Sequence, residues 1–375
     1  MKLKDYFCSI KNDIRQMIMK RKFILMTAAL MSVLSIEAQV KFTVKGKAFE
    51  NADTVMVGNM AIGKVIDNGL VAVKDGVFTV TGDVAENSML CVIDRVNRVQ
   101  TYFIVDGSDI TLDMTNDAVG GTPLNNKFTP FIQQLNKVQD TQRRLMKAAA
   151  ETENADSIAH YEELQGIAAK EEMDLLRKAI ADNQDNCIAA FALEELMYSI
   201  EYDELKGYVE SNAPYLDNPM CNGAKQRLKS LELRAPGRMF TDLVENDVDG
   251  NPHHLSEYVG KGNYVLVDFW ASWCGPCMGE MPNVKSCYEK YKDKGFNVVG
   301  LSFDRSKEAW VECIKKNGLD WVNLSDLKFW KTAAAGTYGI NSIPSNILCD
   351  GAGKIIAIDL RGRFLREKLK EIYGF

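Results

Sequence analysis

The chain has 375 residues, of which 46% are hydrophobic and 26% are charged. This composition is typical of a soluble globular protein, and the length predicts two or three domains with cores of ordinary size. The net charge of −6 offers no basic footprint for nucleic acid, so we expect no nucleic-acid partner.

The N-terminal segment predicts export. Lys20-Arg21-Lys22 precedes the apolar run FILMTAALMSVLSI, which ends close to Ala38. A basic head, a short apolar stretch and a small residue at the exit are typical of a secretory signal peptide. We therefore predict a signal peptide over residues 1–38, with Met19 as an alternative start, and a periplasmic mature protein. The apolar run is shorter than the ~20 residues that span a bilayer, and an uncleaved membrane anchor is the alternative.

Residues 39–121 are predicted to form an all-β accessory domain. Short segments alternate apolar with polar residues and break at Gly, Asp and Asn, a pattern typical of a β-sandwich or a small barrel. Asp75-Gly76 stands between two β-rich arms and predicts a hairpin. No cluster of His, Asp, Glu or Cys resembles a site here, which favours an accessory or binding module.

Residues 122–234 are predicted to form a helical connector. The segment follows GGTPLNNKF and is rich in Ala, Leu, Glu, Lys and Gln. Within NCIAAFALEELMYSI the apolar residues fall near one helical stripe. They are Ile188, Phe191, Leu193, Leu196 and Ile200. His160 lies among charged residues, and we expect it to be solvated.

Residues 235–375 are predicted to form an α/β domain. YVLVDFW is a continuous apolar run, as expected for a strand that is covered on both faces, and a helix is predicted from the cysteine pair to Tyr291. A second strand (FNVVGLSF) and a second helix (KEAWVECIKKN) follow. SNILCD and KIIAIDL, joined by Gly351-Ala352-Gly353, predict a hairpin, and REKLKEIY predicts a closing helix. The order indicates an α/β sandwich around a mixed sheet.

The stretch FWASWCGPCMGEMP places Cys274 and Cys277 where the strand gives way to the helix. Free amides and the helix dipole at a helix N-terminus stabilise a thiolate, which lowers the pKa of Cys274 below the ~8.5 of a free cysteine. Only the thiolate attacks a disulfide. Cys277, one turn into the helix, is expected to be buried and to resolve the mixed disulfide. Pro276 suits the first turn, where its missing N–H has no partner to lose.

A metal site is the alternative for this pair. Structural zinc needs four ligands, and the chain has no second Cys-x-x-Cys. His253 and His254 are adjacent in a predicted polar turn, and Cys287 lies ~15 Å further along the same helix. We therefore expect no metal and no bound cofactor beyond the redox-active disulfide. The remaining cysteines are scattered among apolar residues and are predicted to be buried thiols, with a bridge among the C-terminal ones left open.

The motif VDFWASWCGPC resembles the active-site segment of thioredoxins. The exported leader and FTDLVENDVDGNPHHLSEYVGKG resemble the extracytoplasmic thiol-disulfide reductase branch, the TlpA/ResA-like proteins, over residues 235–375. This resemblance implies a thioredoxin-like fold and a thiol-disulfide oxidoreductase. The β-rich region and connector are more weakly similar to an N-terminal domain of unknown function that such proteins carry in Bacteroidetes.

The resemblance also implies residue roles. Cys274 matches the exposed nucleophile and Cys277 the resolving cysteine. Ile343-Pro344 matches the cis-proline segment whose backbone pairs with a bound peptide. The implied substrate-binding residues are Trp273, Gly275, Pro276, Ile343 and Pro344.

Two acidic residues complete the implied site. Asp268 is the lone carboxylate of its apolar strand, where burial raises a pKa, and it can take the proton from Cys277. The exported branch often has Asn there, so Asp268 follows thioredoxin instead. Glu280 matches an acidic residue near the active site of the branch, with a solvated helix glutamate as the alternative. Ser345 stands where thioredoxins commonly have Thr.

The leading hypothesis is a periplasmic oxidoreductase that reduces disulfides in protein substrates, with electrons from a membrane thiol donor. Gly-Pro between the cysteines is thioredoxin's own dipeptide and favours the reducing direction. A peroxiredoxin-like peroxide reductase is one alternative, but the Pro and Thr that precede its reactive cysteine are absent from FWASWC. A non-catalytic binding protein on a thioredoxin scaffold is the other.

Overall fold

The computed structural model describes residues 39–60, 64–107, 109–152 and 154–375. The predicted signal peptide, residues 1–38, lies outside these ranges. The chain divides into two compact units, and the described residues of the first and second are 39–225 and 226–375. Within the described ranges, no helix combines the length and apolar character needed to cross a membrane.

The first unit contains two four-stranded sheets among its described residues. The strands are β1 (Gln39–Lys47), β2 (Thr54–Asn59), β3 (Lys64–Ala72), β4 (Val77–Ala85), β5 (Ser88–Asp94), β6 (Val99–Val105), β7 (Asp109–Asp113) and β8 (Ala118–Gly120). One sheet has the order β4-β1-β7-β8 and the other β3-β2-β5-β6. Only β1 and β7 pair in parallel; the other described pairs of these sheets are antiparallel.

The two sheets share one hydrophobic core. Phe42 and Val44 of β1 are buried in the same cluster as Leu90 and Val92 of β5, which belongs to the other sheet. Buried and more exposed residues alternate along β1, β4 and β7, as the period-2 pattern of the sequence predicts, whereas β5 is buried along most of its length. The arrangement is a β-sandwich, which confirms the all-β prediction.

The predicted hairpin at Asp75-Gly76 is confirmed at its turn but not along its arms. Both residues have the positive φ of a tight turn (51° and 73°), and Lys74 pairs with Val77 across it. However, β3 continues along β2 while β4 continues along β1, in the opposite sheet. The arms separate because β3 and β4 approach the shared core from opposite sides, so that Val71 and Phe78 pack against the same cluster.

Helices follow the sandwich. They are α1 (Pro123–Glu151), α2 (Ala155–Ala181), α3 (Cys187–Leu196), α4 (Tyr202–Val209) and α5 (Asn222–Glu232), with short 3-10 turns at Pro214–Asp217 and Pro219–Cys221. Phe191 of α3 contacts Tyr102 of β6 and Phe128 of α1, with ring centroids 5.4 and 5.7 Å away.

The prediction that the apolar residues of this region form a single helical stripe needs correction. α3 ends at Leu196, before Ile200, and it is buried around most of its circumference because it packs against more than one element. His160 is exposed, as predicted.

The second unit is built on a five-stranded mixed sheet with the order β13-β12-β11-β14-β15. Its strands are β11 (Tyr264–Trp270), β12 (Phe296–Ser302), β13 (Val322–Leu324), β14 (Ser345–Cys349) and β15 (Ile355–Ile358), preceded by the small hairpin of β9 (Val244–Asn246) and β10 (Pro252–His254). Its helices are α6 (Gly275–Tyr291), α7 (Lys307–Asn317), α8 (Ala333–Tyr338) and α9 (Arg363–Tyr373). Short 3-10 turns lie at Leu255–Glu257, Lys292–Lys294 and Phe329–Lys331.

The central strand positions the site. β11 runs parallel to β12 and antiparallel to β14, and six of its seven residues are buried. A strand between two neighbours and under helices must be apolar on both faces, which is why YVLVDFW does not alternate. Its C-terminal end leads through Ala271–Trp273 to Cys274. The thioredoxin-like α/β fold predicted for this region is confirmed.

Candidate active site

A disulfide joins Cys274 and Cys277 at the start of α6, with their Cα atoms 5.2 Å apart. Cys274 is the N-cap residue, and the amide N–H of Cys277 donates to its Sγ across 3.2 Å. Cys274 retains 4% exposure and Cys277 none. The expected exposed nucleophile is therefore the more accessible sulfur of the pair but is itself buried. The reason is that Cys274 turns back onto the helix, where it is bonded to a fully buried partner and caps the first turn.

Gly275 and Pro276 fill the first turn of α6. The first helical hydrogen bond, from the amide of Met278 to the carbonyl of Cys274, lies beyond the proline. Pro276 therefore removes an N–H that has no partner in the helix. Its side chain is exposed beside the disulfide, whereas Gly275 is half-buried.

Asp304 holds the segment between β11 and the disulfide, and sequence reasoning missed it. Its carboxylate accepts from the amide of Ser272 at 3.0 Å, from the Ser272 hydroxyl and from the Ser302 hydroxyl at 2.7 Å. Asp304 is 1% exposed, so these bonds compensate its burial. A lone carboxylate at the end of the apolar run FNVVGLSF was the available signal, of the same kind that singled out Asp268.

Trp273, directly before Cys274, lies on the surface. It is 47% exposed, and its indole Nε1 donates to the carbonyl of Phe303 at 3.1 Å. Its ring contacts Phe329 and Trp330, with centroid distances of 5.0 and 6.1 Å. Neither of those two aromatics was predicted for the site.

The Ile343-Pro344 peptide bond is cis, as the resemblance implied. Pro344 is buried and Ile343 half-buried. Because Ser345 pairs with Phe269, the cis-proline lies at the same end of the sheet from which the chain continues to Cys274. The guanidinium of Arg361 donates to the carbonyl of Pro344. Arg361 gave no signal in the sequence, since a single surface arginine before a helix is unremarkable there.

Asp268 is 3% exposed in the middle of the sheet. Burial raises the pKa of this carboxyl to about 7; the negative charge of Glu280 adds to the rise, and the positive charge of Arg361 opposes it. A buried carboxyl that titrates near neutrality can exchange a proton at physiological pH.

Glu280 is half-buried and hydrogen-bonded. Its Oε1 accepts from the backbone N–H of Gly362 at 2.8 Å and from the Asn283 amide at 2.7 Å. Gly362 is the N-cap residue of α9 and directly follows Arg361. Glu280 of α6 therefore fixes the segment that carries Arg361.

Comparisons with known proteins match the C-terminal part of the chain. A family model described as Redoxin matches residues 235–364. The thiol-disulfide oxidoreductase ResA of Bacillus thuringiensis subsp. konkukian is 33% identical over 140 residues, which cover 36% of this chain and 75% of that protein. The chain belongs to the ResA family.

Other similar proteins carry related names. ResA of Geobacillus thermodenitrificans is 29% identical over 137 residues, with 36% of this chain and 75% of that protein covered. A solved thioredoxin domain of a thiol-disulfide oxidoreductase from Bacteroides vulgatus is 35% identical, with 37% of this chain and 97% of that chain covered and a TM-score of 0.35. As a member of the ResA family, the protein is an enzyme that exchanges thiols and disulfides.

Unlike Cys274 and Cys277, the other described cysteines are free thiols. Five are buried and Cys313 is half-buried. Burial raises the pKa of each thiol for which a shift is resolved, so that these groups stay protonated and unreactive at neutral pH. They are Cys187, Cys221, Cys287, Cys313 and Cys349.

The adjacent histidines lie at β10 rather than in a turn. The ring of His253 contacts Asp247 and Glu257, and that of His254 contacts Asp242. No three His, Cys, Asp or Glu side chains are grouped as a metal site would require anywhere in the described ranges.

Proposed function

We propose that the protein is a periplasmic reductase of protein disulfides that works by dithiol-disulfide exchange at Cys274 and Cys277, without a bound cofactor or metal. The observation that carries this proposal is the pair's position, at a helix N-terminus in the same unit as a buried carboxyl whose pKa lies near neutrality. The predicted signal peptide supports the compartment, which is one in which disulfides form and persist.

The first step is attack by the Cys274 thiolate on a substrate disulfide. A bond forms between Cys274 Sγ and one substrate sulfur, the substrate S–S bond breaks, and the second substrate sulfur leaves as a thiolate that takes up a proton. The helix N-terminus favours the attacking thiolate through the dipole and through the Cys277 N–H that points at the sulfur.

The second step releases the substrate. Cys277 loses its proton, to Asp268 in our proposal, and attacks Cys274 Sγ. The Cys274–Cys277 bond forms, the mixed disulfide breaks, and the first substrate sulfur leaves as a thiolate that takes up a proton. The substrate gains two electrons and the enzyme becomes the disulfide form. A dithiol donor at the membrane then returns two electrons to the pair.

Substrate recognition falls to the residues around the disulfide. The backbone beside cis-Pro344 would pair with an extended segment of the substrate, as an added strand does. We assign to substrate binding Trp273, Gly275 and Pro276, which adjoin the cysteine pair in the chain, and Ile343, which precedes the cis-proline. Glu280 and Arg361 are positioning residues, because they act on Asp268 and on Pro344 and not on the substrate.

The test is the reduction potential of the Cys274–Cys277 couple in the full-length protein, equilibrated in graded dithiol/disulfide buffers and read by alkylation and mass. We expect a value near the ~−270 mV of thioredoxin. A value towards ~−120 mV would reverse the proposed direction. The absence of a reversible transition, or peroxide turnover that survives Cys277→Ser, would replace the reductase with a binding protein or a peroxidase. Recovery of the native protein outside the periplasmic fraction would overturn the compartment.

A further inference from the structure

Two exposed tryptophans and the half-buried Phe329 form a group that begins at Trp273, directly before Cys274. Trp273 is 47% exposed and Trp330 37%, and both contact Phe329, with ring centroids at 5.0 and 6.0 Å. We call Trp273, Phe329 and Trp330 the aromatic surface. Phe303, which is fully buried, contacts Trp330 at 5.2 Å and supports it from below. Large aromatics that stay exposed together mark interaction sites more often than singly exposed ones do.

The backbone that presents these rings is strained. Leu327 and Phe329 both have left-handed φ values, 55° and 59°. Bulky side chains rarely adopt this conformation, and it persists only where the surroundings enforce it, most often at functional sites.

Hydrogen bonds enforce that conformation from both ends of the segment. Asp326 accepts from the amides of Lys328 and Ala333, and Ser325 Oγ accepts from the amide of Leu327. The Thr332 hydroxyl donates to buried Glu245. A surface that is rigid before binding loses little conformational entropy when a partner docks.

Two exposed cations, Arg305 and Lys331, lie beside the aromatic surface. The Arg305 guanidinium lies 3.8 Å from the ring centroid of Phe329, and Lys331 is exposed within the same 3-10 turn as Trp330. No carboxylate in the described ranges pairs with Arg305 or Lys331, whereas Asp326 pairs with Lys328. In a chain with a net charge of −6, this is a local excess of cations.

We propose that the aromatic surface is a docking site for the substrate polypeptide and that it selects disulfides flanked by an aromatic or large apolar side chain and an acidic one. The apolar side chain packs on Trp273, Phe329 and Trp330, and the acidic one pairs with Arg305 and Lys331. This inference rests on the proposed function, because the docked polypeptide is the one whose disulfide meets Cys274.

The experiment compares three disulfides as oxidants of the reduced full-length protein. Two are octapeptides with the same disulfide, one with Phe and Glu and the other with Ser and Lys beside the cysteines; the third is hydroxyethyl disulfide, which is small and neutral. Acid quenching, alkylation and mass analysis give second-order rate constants. We expect the Phe/Glu peptide to react about tenfold faster than the Ser/Lys peptide.

Variants test whether the aromatic surface causes the preference for the Phe/Glu peptide. Trp330→Ala should remove most of it, lowering the Phe/Glu rate constant about tenfold while the hydroxyethyl disulfide rate stays within about twofold. Arg305→Gln should lower only the rate with the acidic peptide, and added salt should do the same in the wild type. Phe375→Ala and Lys294→Gln are matched controls, since they change an exposed aromatic and a cation beyond the far end of α6.

The outcomes separate this inference from the proposed function. Equal rates for the two peptides, or a Trp330→Ala effect that also appears with hydroxyethyl disulfide, would overturn the docking site while exchange itself stands. A reduced wild type that none of the three disulfides oxidises would overturn both. Should Trp330→Ala fail to fold, Trp330→Leu and Arg305→Gln provide the same comparison.

Discussion

The amide N–H of Cys277 donates to the Sγ of Cys274 across 3.2 Å. After reduction of the disulfide, the same amide faces a thiol, and a hydrogen bond to the charged form favours that form. The helix dipole acts in the same direction, since Cys274 is the N-cap residue. The capping arrangement thus prepares one sulfur of the pair, and not the other, for attack.

We therefore expect Cys274 in the reduced protein to titrate well below the ~8.5 of a free cysteine. The pH dependence of iodoacetamide alkylation, followed by mass, measures this directly. In Cys277→Ser, Cys274 should still attack a substrate and accumulate as a mixed disulfide, whereas Cys274→Ser should form none. Preferential alkylation of Cys277 at neutral pH would contradict the assignment.

Asp268 makes the oxidised protein less stable as pH rises. Its pKa is about 7 in the folded protein and about 3.9 when unfolded, so the native state binds the extra proton between these values. The stabilisation that this proton contributes is complete below pH 4 and is lost as the pH rises to 7. Relative to Asp268→Asn, the free energy of unfolding of the wild type should fall by about 2 kcal/mol between pH 5 and 7. Urea denaturation at several pH values measures the difference, and a constant difference would show that Asp268 does not titrate there.

Asp268 should also govern the resolving step. Removal of a general base typically slows proton transfer about 10²-fold or more, so Asp268→Asn should accumulate the mixed disulfide. Release of a chromophoric thiol from that intermediate gives the rate. In the wild type, this rate should rise with pH to a midpoint near the pKa of about 7.

Glu280 and Arg361 should move that midpoint in opposite directions. The negative charge of Glu280 raises the pKa of Asp268 and the positive charge of Arg361 lowers it. Glu280→Gln, which keeps the oxygen that Gly362 donates to, should shift the midpoint to lower pH, and Arg361→Gln should shift it to higher pH. Arg361→Lys should restore it. Glu289→Gln, near the far end of α6, is the charge control, and shifts of equal sign would contradict the assignment.

The sequence predicts the parts of this site that lie on one continuous segment. The apolar run of β11 and the cysteine pair indicate a strand, a helix N-terminus and a redox centre without knowledge of the fold. Asp304 and Arg361 could not be assigned that way, because only the parallel pairing of β12 and the return of the chain after β15 bring Asp304 to Ser272 and Arg361 to Pro344.

Local rules also failed where tertiary structure overrides them. Asp75-Gly76 forms the predicted turn, but the burial of two apolar faces in one core decides the pairing of its arms. β13 has three residues, too few for a periodic signal. The positive φ of Leu327 and Phe329 contradicts the preference of both residue types, so the aromatic surface could be found only in the folded chain.

Glu245 provides a second stability test, independent of the disulfide. It is 2% exposed; its Oε1 accepts from Thr332, and its Oε2 has no partner among the described residues. Burial raises its pKa to about 7, with the charge of Asp326 adding to the rise, so its stabilising proton is lost as pH increases to neutrality.

Glu245→Gln keeps the acceptor for Thr332 and removes the charge. This substitution should leave the free energy of unfolding almost unchanged at pH 4 and raise it by about 3 kcal/mol at pH 8. Thr332→Val is the control for the hydrogen bond and should cost about 1 kcal/mol at low pH, where the carboxyl is neutral. A Glu245→Gln effect that is the same at both pH values would mean that the buried carboxyl does not change charge between them.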